Sequence, residues 1–350
     1  MNGGDLDLTT LVATIFVFGL LVLFHELGHF ITAKMVGMRV EEFAIGFGPK
    51  LISYQKGETL YSIRIIPLGG FNKIAGMDPD EEKDERAYSE KPIWARMIVI
   101  LAGSTMNFVL PVLIFLGIFL SVGINTPSPE PVFGEVIAGK AAAQAGLMTG
   151  DRILKVDDKD IATWKDFVSV VQVSDGKVLK VQYEREGNIA MTSLIPAYDE
   201  QSKRAIIGVL SKNDNYRPGA IEAVGLAFKN TVAISIAMVD GLVQMVAGKI
   251  DAELAGPIGV AQMAGEVAQM GIIPLLQFAA FLSINLGIIN LLPIPALDGG
   301  HFVTLVIEGV RGKPLSPELV QKAQMFGFML LLALMVFATS KDLIRANWFG

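Results

Sequence analysis

Residues 8–30, LTTLVATIFVFGLLVLFHELGHF, form an almost uninterrupted apolar run that closes on two histidines and a glutamate. The apolar part, residues 8–24, has the length of a membrane crossing. It ends on His25-Glu26 instead of a small-residue cleavage site, so it reads as a retained transmembrane helix. On a helix, His25-Glu26-Leu27-Gly28-His29 sets two imidazoles at i and i+4, one turn apart on one face, where both reach a single ion. The chain has no Cys, and zinc is the metal that suits His and carboxylate ligands best. The same spacing puts Glu26 beside the ion, where a carboxylate can take a proton from water whose pKa a bound zinc lowers toward about 7. Ionisable groups at mid-bilayer cost about 2.5–3.5 kcal/mol each, which makes their placement in such a helix functional by default.

Two histidines leave a catalytic zinc one protein ligand short, and two candidates stand out: Asp298 and His301, the third and last His of the chain. Asp298 closes the stretch Asn290-Leu291-Leu292-Pro293-Ile294-Pro295-Ala296-Leu297-Asp298-Gly299-Gly300 at the end of another apolar run. Its prolines break the helix, and the glycines after it allow close backbone approach to a metal. Irregular backbone at membrane depth is tolerated only where it lines a protein-buried or wet site.

Further outward, residues 97–122, 272–292 and 325–338 are apolar runs of spanning or near-spanning length, giving about four transmembrane helices. Of 350 residues, 52% are hydrophobic and only 18% charged, the composition of an integral membrane protein. A net charge of -6 offers no basic face, which excludes nucleic acid as a partner. Residues 39–75 alternate around Gly46-Phe47-Gly48-Pro49 and Pro67-Leu68-Gly69-Gly70, and read as short strands with tight turns. Residues 78–91 read as a charged surface loop. Residues 130–197 look water-soluble, with strands near 132–137, 152–156 and 178–183 and helices near 141–145 and 164–173. Residues 221–246 are apolar enough to span but carry Glu222, Lys229, Asp240 and Gln244, the pattern of an amphipathic helix lying on the membrane surface. Ten Lys and Arg between residues 34 and 96 place that loop in the cytoplasm. With four spans, both chain ends and the 130–197 domain then lie outside, and His25 and Asp298 fall on the same cytoplasmic side.

With HELGHF at 25–30 and NLLPIPALDGGH at 290–301 in this order, the sequence resembles the site-2 protease family of intramembrane zinc metalloproteases. Gly46-Phe47-Gly48-Pro49, Pro67-Leu68-Gly69-Gly70-Phe71, Asn107 and Gly256-Pro257-Ile258-Gly259 extend the resemblance over nearly the whole chain. It implies that His25, His29 and Asp298 bind Zn2+, deciding for Asp298 over His301, and that Glu26 is the general base. Ala141-Ala142-Ala143-Gln144-Ala145-Gly146-Leu147, followed by Gly150-Asp151-Arg152-Ile153-Leu154, resembles a PDZ domain, which places the chain in the RseP-like branch with a single PDZ domain.

The expected fold is a polytopic α-helical membrane protein with a membrane-associated β-sheet and one extramembrane PDZ-like α+β domain. Its divisions are 1–37, the first transmembrane helix with HExxH; 38–95, a membrane-reentrant β-sheet and cytoplasmic loop; and 96–124, the second transmembrane helix. There follow 125–212, the PDZ-like domain; 213–271, a membrane-surface amphipathic segment; and 272–350, the third and fourth transmembrane helices with the LDGG motif. The implied substrates are single-span membrane proteins, cut within the bilayer of the bacterial inner membrane after another protease has trimmed them, among them an anti-sigma factor or remnant signal peptides. A helical substrate must be unwound before its carbonyls can be attacked. A strand edge near the metal, with Gly46, Gly48, Gly69 and Gly70, and the amides of Asn290 and Asn107, are the candidates for holding it extended. A peptide-binding scaffold would have no use for a general base, and a transporter would be expected to show internal repeats of its spans, which are not seen here.

Overall fold

The computed structural model describes residues 7–77, 84–200, 203–250 and 255–345, so residues 78–83 of the expected charged loop lie outside the described residues. The chain forms two compact units, one of residues 1–118 and 220–350 and one of residues 119–219. The first begins with α1 (Leu8–Met35), whose N-terminus is capped by the Asp7 side chain accepting from the Thr10 N–H at 2.7 Å. The apolar run ends at Phe24, yet the helix continues to Met35, and HExxH therefore sits inside it, held by backbone on both sides.

Next come β1 (Val40–Lys56) and β2 (Thr59–Ile74), two long strands where short strands with tight turns were expected. Gly46, Gly48 and Gly69 adopt φ of +91°, +83° and +127°, conformations that glycine takes without strain and that bend a strand without ending it. The pairing folds back on itself: Phe43 lies opposite both Asn72 and Tyr61, and Ile45 opposite both Gly70 and Ile63. Gly70 to Ile74 thus forms a margin of this sheet, and β2 packs against α1.

After a 3-10 turn at Tyr88–Glu90 comes α2 (Ile93–Ser121), which contains Pro111. A proline in a helix leaves the carbonyl four residues earlier without its N–H donor. That carbonyl belongs to Asn107, and the buried Ser283 hydroxyl donates to it at 2.8 Å.

The second unit holds β3 (Ile124–Pro127), β4 (Phe133–Val136), α3 (Ala141–Gln144), β5 (Arg152–Val156), β6 (Lys159–Asp160), α4 (Trp164–Val171), β7 (Leu179–Arg185) and β8 (Asn188–Leu194). It is completed by β9 (Ala197–Asp199), β10 (Arg204–Ile206), β11 (Val209–Ser211) and β12 (Asn213–Tyr216). The sheet β6-β5-β7-β8 is antiparallel, while β4 pairs with β11, β9 with β10 and β3 with β12. Its core gathers Phe133, Ile153, Val156, Phe167, Val181 and Leu194, and α4 starts in a Thr163–Asp166 capping box. The compact unit is a few residues longer at each end than the expected 125–212, because the β3–β12 pair closes its two chain ends together.

The first unit resumes with α5 (Ala220–Val246), α6 (Pro257–Gln269), α7 (Ile272–Leu291), α8 (Asp298–Arg311) and α9 (Pro317–Arg345). Among the described residues, α1, α2, α5, α7 and α9 are long and apolar enough to cross a membrane, one more than the four read from the sequence. The protein is an integral membrane protein of the expected class. The buried Asp342 carboxylate of α9 accepts from the N–H groups of Gly256 and Gly259 at 3.0 and 2.8 Å, capping the first turn of α6.

Candidate metal centre and catalytic cleft

His25 and His29 lie on one face of α1, and Asp298 is the first residue of α8, whose helix N-terminus favours a carboxylate. His25 Nε2 and His29 Nε2 are 3.3 Å apart, and Asp298 Oδ2 is 3.6 Å from each. Tetrahedral zinc with bonds of about 2.0–2.1 Å sets neighbouring ligand atoms about 3.3–3.4 Å apart. The triangle therefore has the size of one face of that tetrahedron, and the donor set fits the metal. Among the described residues, His25, His29 and Asp298 are the group of three whose donor atoms meet in this way. His301 lines the same cavity without joining that group.

The outer contacts agree with metal ligation. His29 Nδ1 is 2.7 Å from the Val99 carbonyl, so Nδ1 carries the proton and Nε2 turns its lone pair toward the shared point. His25 Nδ1 is 3.1 Å from the side-chain amide of Asn107, whose Oδ1 is buried without a hydrogen-bond partner. Turned with Oδ1 toward the ring, this amide accepts from His25 Nδ1–H and leaves Nε2 free for the ion. Ser104 Oγ donates to Asp298 Oδ2 at 3.0 Å. Asn107 is fully buried, and its amide lies against the imidazole of His25.

Glycine makes the approach of α1 and α2 possible. A Cβ at Gly103 would lie within 3.0 Å of ring atoms of both His25 and His29, and one at Gly28 would strike the Ala102 backbone. Gly299 and Gly300 follow Asp298 directly in the first turn of α8. A Cβ at either would meet the carbonyls of Leu291, Leu292 or Ile294, so they allow the turn after α7 to fold onto itself, with Ala296 at φ +80°. Asn290 is buried at the end of α7.

The three ligand candidates open into a cavity of about 410 Å³ that Glu26, Gly70, Phe71, Asn72, Ile74 and Met77 also line. A Cβ at Gly70 would come within 3.0 Å of Glu26 Cγ, so glycine lets β2 lie directly along the glutamate. Gly69 is closed in by the Phe47 ring, which stacks on Phe71 at 6.5 Å, while Gly46 and Gly48 shape the far part of the hairpin. Asn72, Ser104 and Gly103 were not singled out from the sequence. Ser104 and Asn107 carried a signal, as polar residues three apart inside an apolar span. Asn72 carried none, since its role depends on the register of β2 against α1.

An apolar helix bundle with a candidate His-His-Asp metal centre and a glutamate in the same cavity is the arrangement a membrane-embedded metal hydrolase would need. The model of peptidase family M50 matches residues 13–334. The regulator of sigma-W protease RasP from Bacillus subtilis is 34% identical, covering 96% of this chain and 98% of that one, and the zinc metalloprotease RasP from Bacillus licheniformis is 33% identical over 97% and 99%. The chain belongs to peptidase family M50, the site-2 proteases, and is a zinc metalloprotease. Among solved structures, the PDZ domain of an SdrC-like protein from Listeria monocytogenes aligns with 25% of this chain and 90% of that chain, at 16% identity and a TM-score of 0.22.

Proposed function

We propose that this protein cleaves the transmembrane segments of single-span membrane proteins, with His25, His29 and Asp298 holding Zn2+ and Glu26 acting as the general base. The observation that carries this reading is the ligand triangle of 3.3, 3.6 and 3.6 Å formed by two histidines of an apolar helix of spanning length and the first residue of α8, with Glu26 in the same cavity. Zinc, when bound, supplies Lewis acidity. Glu26 accepts a proton from the attacking water as its oxygen adds to the scissile carbonyl, and returns that proton to the leaving amine. The Gly70–Asn72 margin of β2 offers an unwound substrate a strand to pair with, and Gly46, Gly48, Gly69 and Asn290 shape the approach to it. Leu51, Ile52, Tyr54 and Ile65, more than half exposed on the hairpin, suit contact with lipid.

The second unit serves as a PDZ-like module on the outer side of the bacterial inner membrane. A groove of about 260 Å³ between α4 and the β10–β11 stretch, lined by Trp164, Phe167, Val168 and Ile207, suits either an extended peptide or a size filter. The name of the relative, a regulator of sigma-W, supports an anti-sigma factor as the leading substrate class, and its prior trimming by another protease belongs to the same proposal. Helix α5 lies on the membrane surface, and the active site faces the cytoplasmic side.

The test is cleavage of a membrane-embedded single-helix reporter by purified protein, by Glu26→Gln and in the presence of a zinc chelator. Cleavage by the untreated parent alone, with one zinc per chain in both proteins, is the expected result. Equal turnover by Glu26→Gln would refute the general-base assignment.

A further inference from the structure

Asn72 stands in β2 between Phe71 and Lys73, opposite Phe43 in the sheet register. Its Nδ2 donates to the Glu26 carbonyl at 2.8 Å and to the Glu26 carboxylate Oε2 at 2.7 Å. A main-chain carbonyl and an ionised carboxylate only accept, so the amide has one workable orientation, with Nδ2 toward Glu26. Its Oδ1 then points away, buried and without a hydrogen-bond partner. Leaving a buried acceptor unmatched is costly, and the arrangement is explained if the donor end of the amide is what the site requires.

We propose that Asn72 is the positioning residue for Glu26, clamping the carboxylate at a fixed place beside the metal-ligand triangle and joining the margin of β2 to the base. A glutamate side chain has three rotatable torsions, and a bond to the backbone carbonyl together with a bond to the carboxylate of the same residue restricts all of them. Gly70, two residues earlier on the same margin, lies against Glu26 Cγ, so strand and base form one contact surface. A peptide that pairs with this margin is thereby set in register with the group that moves the proton, which is the preorganisation that proton transfer needs. This inference rests on the assignment of Glu26 as general base.

The experiment compares Asn72→Val and Asn72→Asp with the parent on the membrane-embedded single-helix reporter, measuring kcat, KM and zinc content. Asn72→Val should lower kcat by about 10–100-fold, the usual effect of losing an outer-shell partner, with KM within about twofold and zinc still stoichiometric. Asn72→Asp keeps the shape but replaces the donor with an acceptor, and should lose at least as much. A side chain that merely packs the strand would tolerate Asp and, when truncated, would move KM or zinc content instead; either result overturns the proposal. A double-mutant cycle on the thermal unfolding midpoint, pairing Asn72→Val with Glu26→Ala, reads the contact without any activity. Asn72→Val should destabilise the parent more than the Glu26→Ala protein, and additive effects would overturn the clamp even if no reporter were cut. A parent that cleaves nothing while the cycle shows coupling would count against the proposed function and not against the contact. Failure of both Asn72 variants to fold would assign the residue to structure and overturn the positioning role.

Discussion

Gly103→Ala tests whether the close approach of α1 and α2 builds the metal centre. The added Cβ would sit 2.9 Å from His25 Cε1 and 2.5 Å from His29 Cε1, closer still to His29 Nε2, where ordinary contact begins at 3.4 Å. The His29 ring must therefore retreat by about 1 Å, while metal bonds tolerate only about 0.2 Å. Neither ring has an easy way out, because His29 is tied to the Val99 carbonyl and His25 to the Asn107 amide. The expected outcome is a rise of at least about 100-fold in the zinc dissociation constant, since outer-shell losses alone give about 10–100-fold, together with loss of cleavage. The assay is competition for zinc against a chelator of known affinity in detergent, read by metal analysis of the protein. Helix content should hold, because alanine favours a helix by about 1 kcal/mol over glycine. Gly19→Ala on α1, where an added Cβ meets nothing within 4 Å, is the control and should leave zinc affinity unchanged. Parent-like zinc affinity in Gly103→Ala would refute the reasoning, because it would show that the rings can move without cost.

Three other outcomes are expected. Asn107→Leu removes the partner of His25 Nδ1 and should weaken zinc binding by about 10–100-fold with the fold intact; an unchanged titration would assign Asn107 to packing. Asp342→Ala leaves the N–H groups of Gly256 and Gly259 without their buried acceptor and should destabilise the protein by about 2–3 kcal/mol, seen as a lower unfolding midpoint in detergent with zinc affinity preserved. Hydrogen bonds from Arg86 and Lys34 hold the Glu58 carboxyl down to about 2 from its ordinary 4.5. The stabilisation from this cluster is therefore complete above about pH 4.5 and lost as the pH falls toward 2. In Glu58→Gln the acid-induced release of the hairpin, followed by limited proteolysis, should lose its dependence on pH in that window.

The sequence determined the class of protein and most of the centre. The run 8–24 and its sister spans required a membrane, since so much apolar surface has no other solvent. HExxH placed two imidazoles on one face because helical spacing is local, and the prolines before Asp298 announced a broken helix because proline acts on its own backbone. Long-range register was not legible. Nothing in Gly69-Gly70-Phe71-Asn72 tells that these residues continue a strand, or that the strand runs beside Glu26 and brings Asn72 within 2.7 Å of its carboxylate. The sequence likewise offered Asn107 as a substrate contact; the crossing of α1 with α2 at Gly28 and Gly103 is what brings its amide onto His25. The helix at Ala220–Val246 is long and apolar enough to cross a membrane, and it is Glu222, Lys229, Asp240 and Gln244 within it that give the pattern of a surface-lying helix. Local spacing therefore nominated the candidate residues of the centre. Only packing, set by small residues at helix crossings and by strand register between distant segments, decided which neighbours hold them in place.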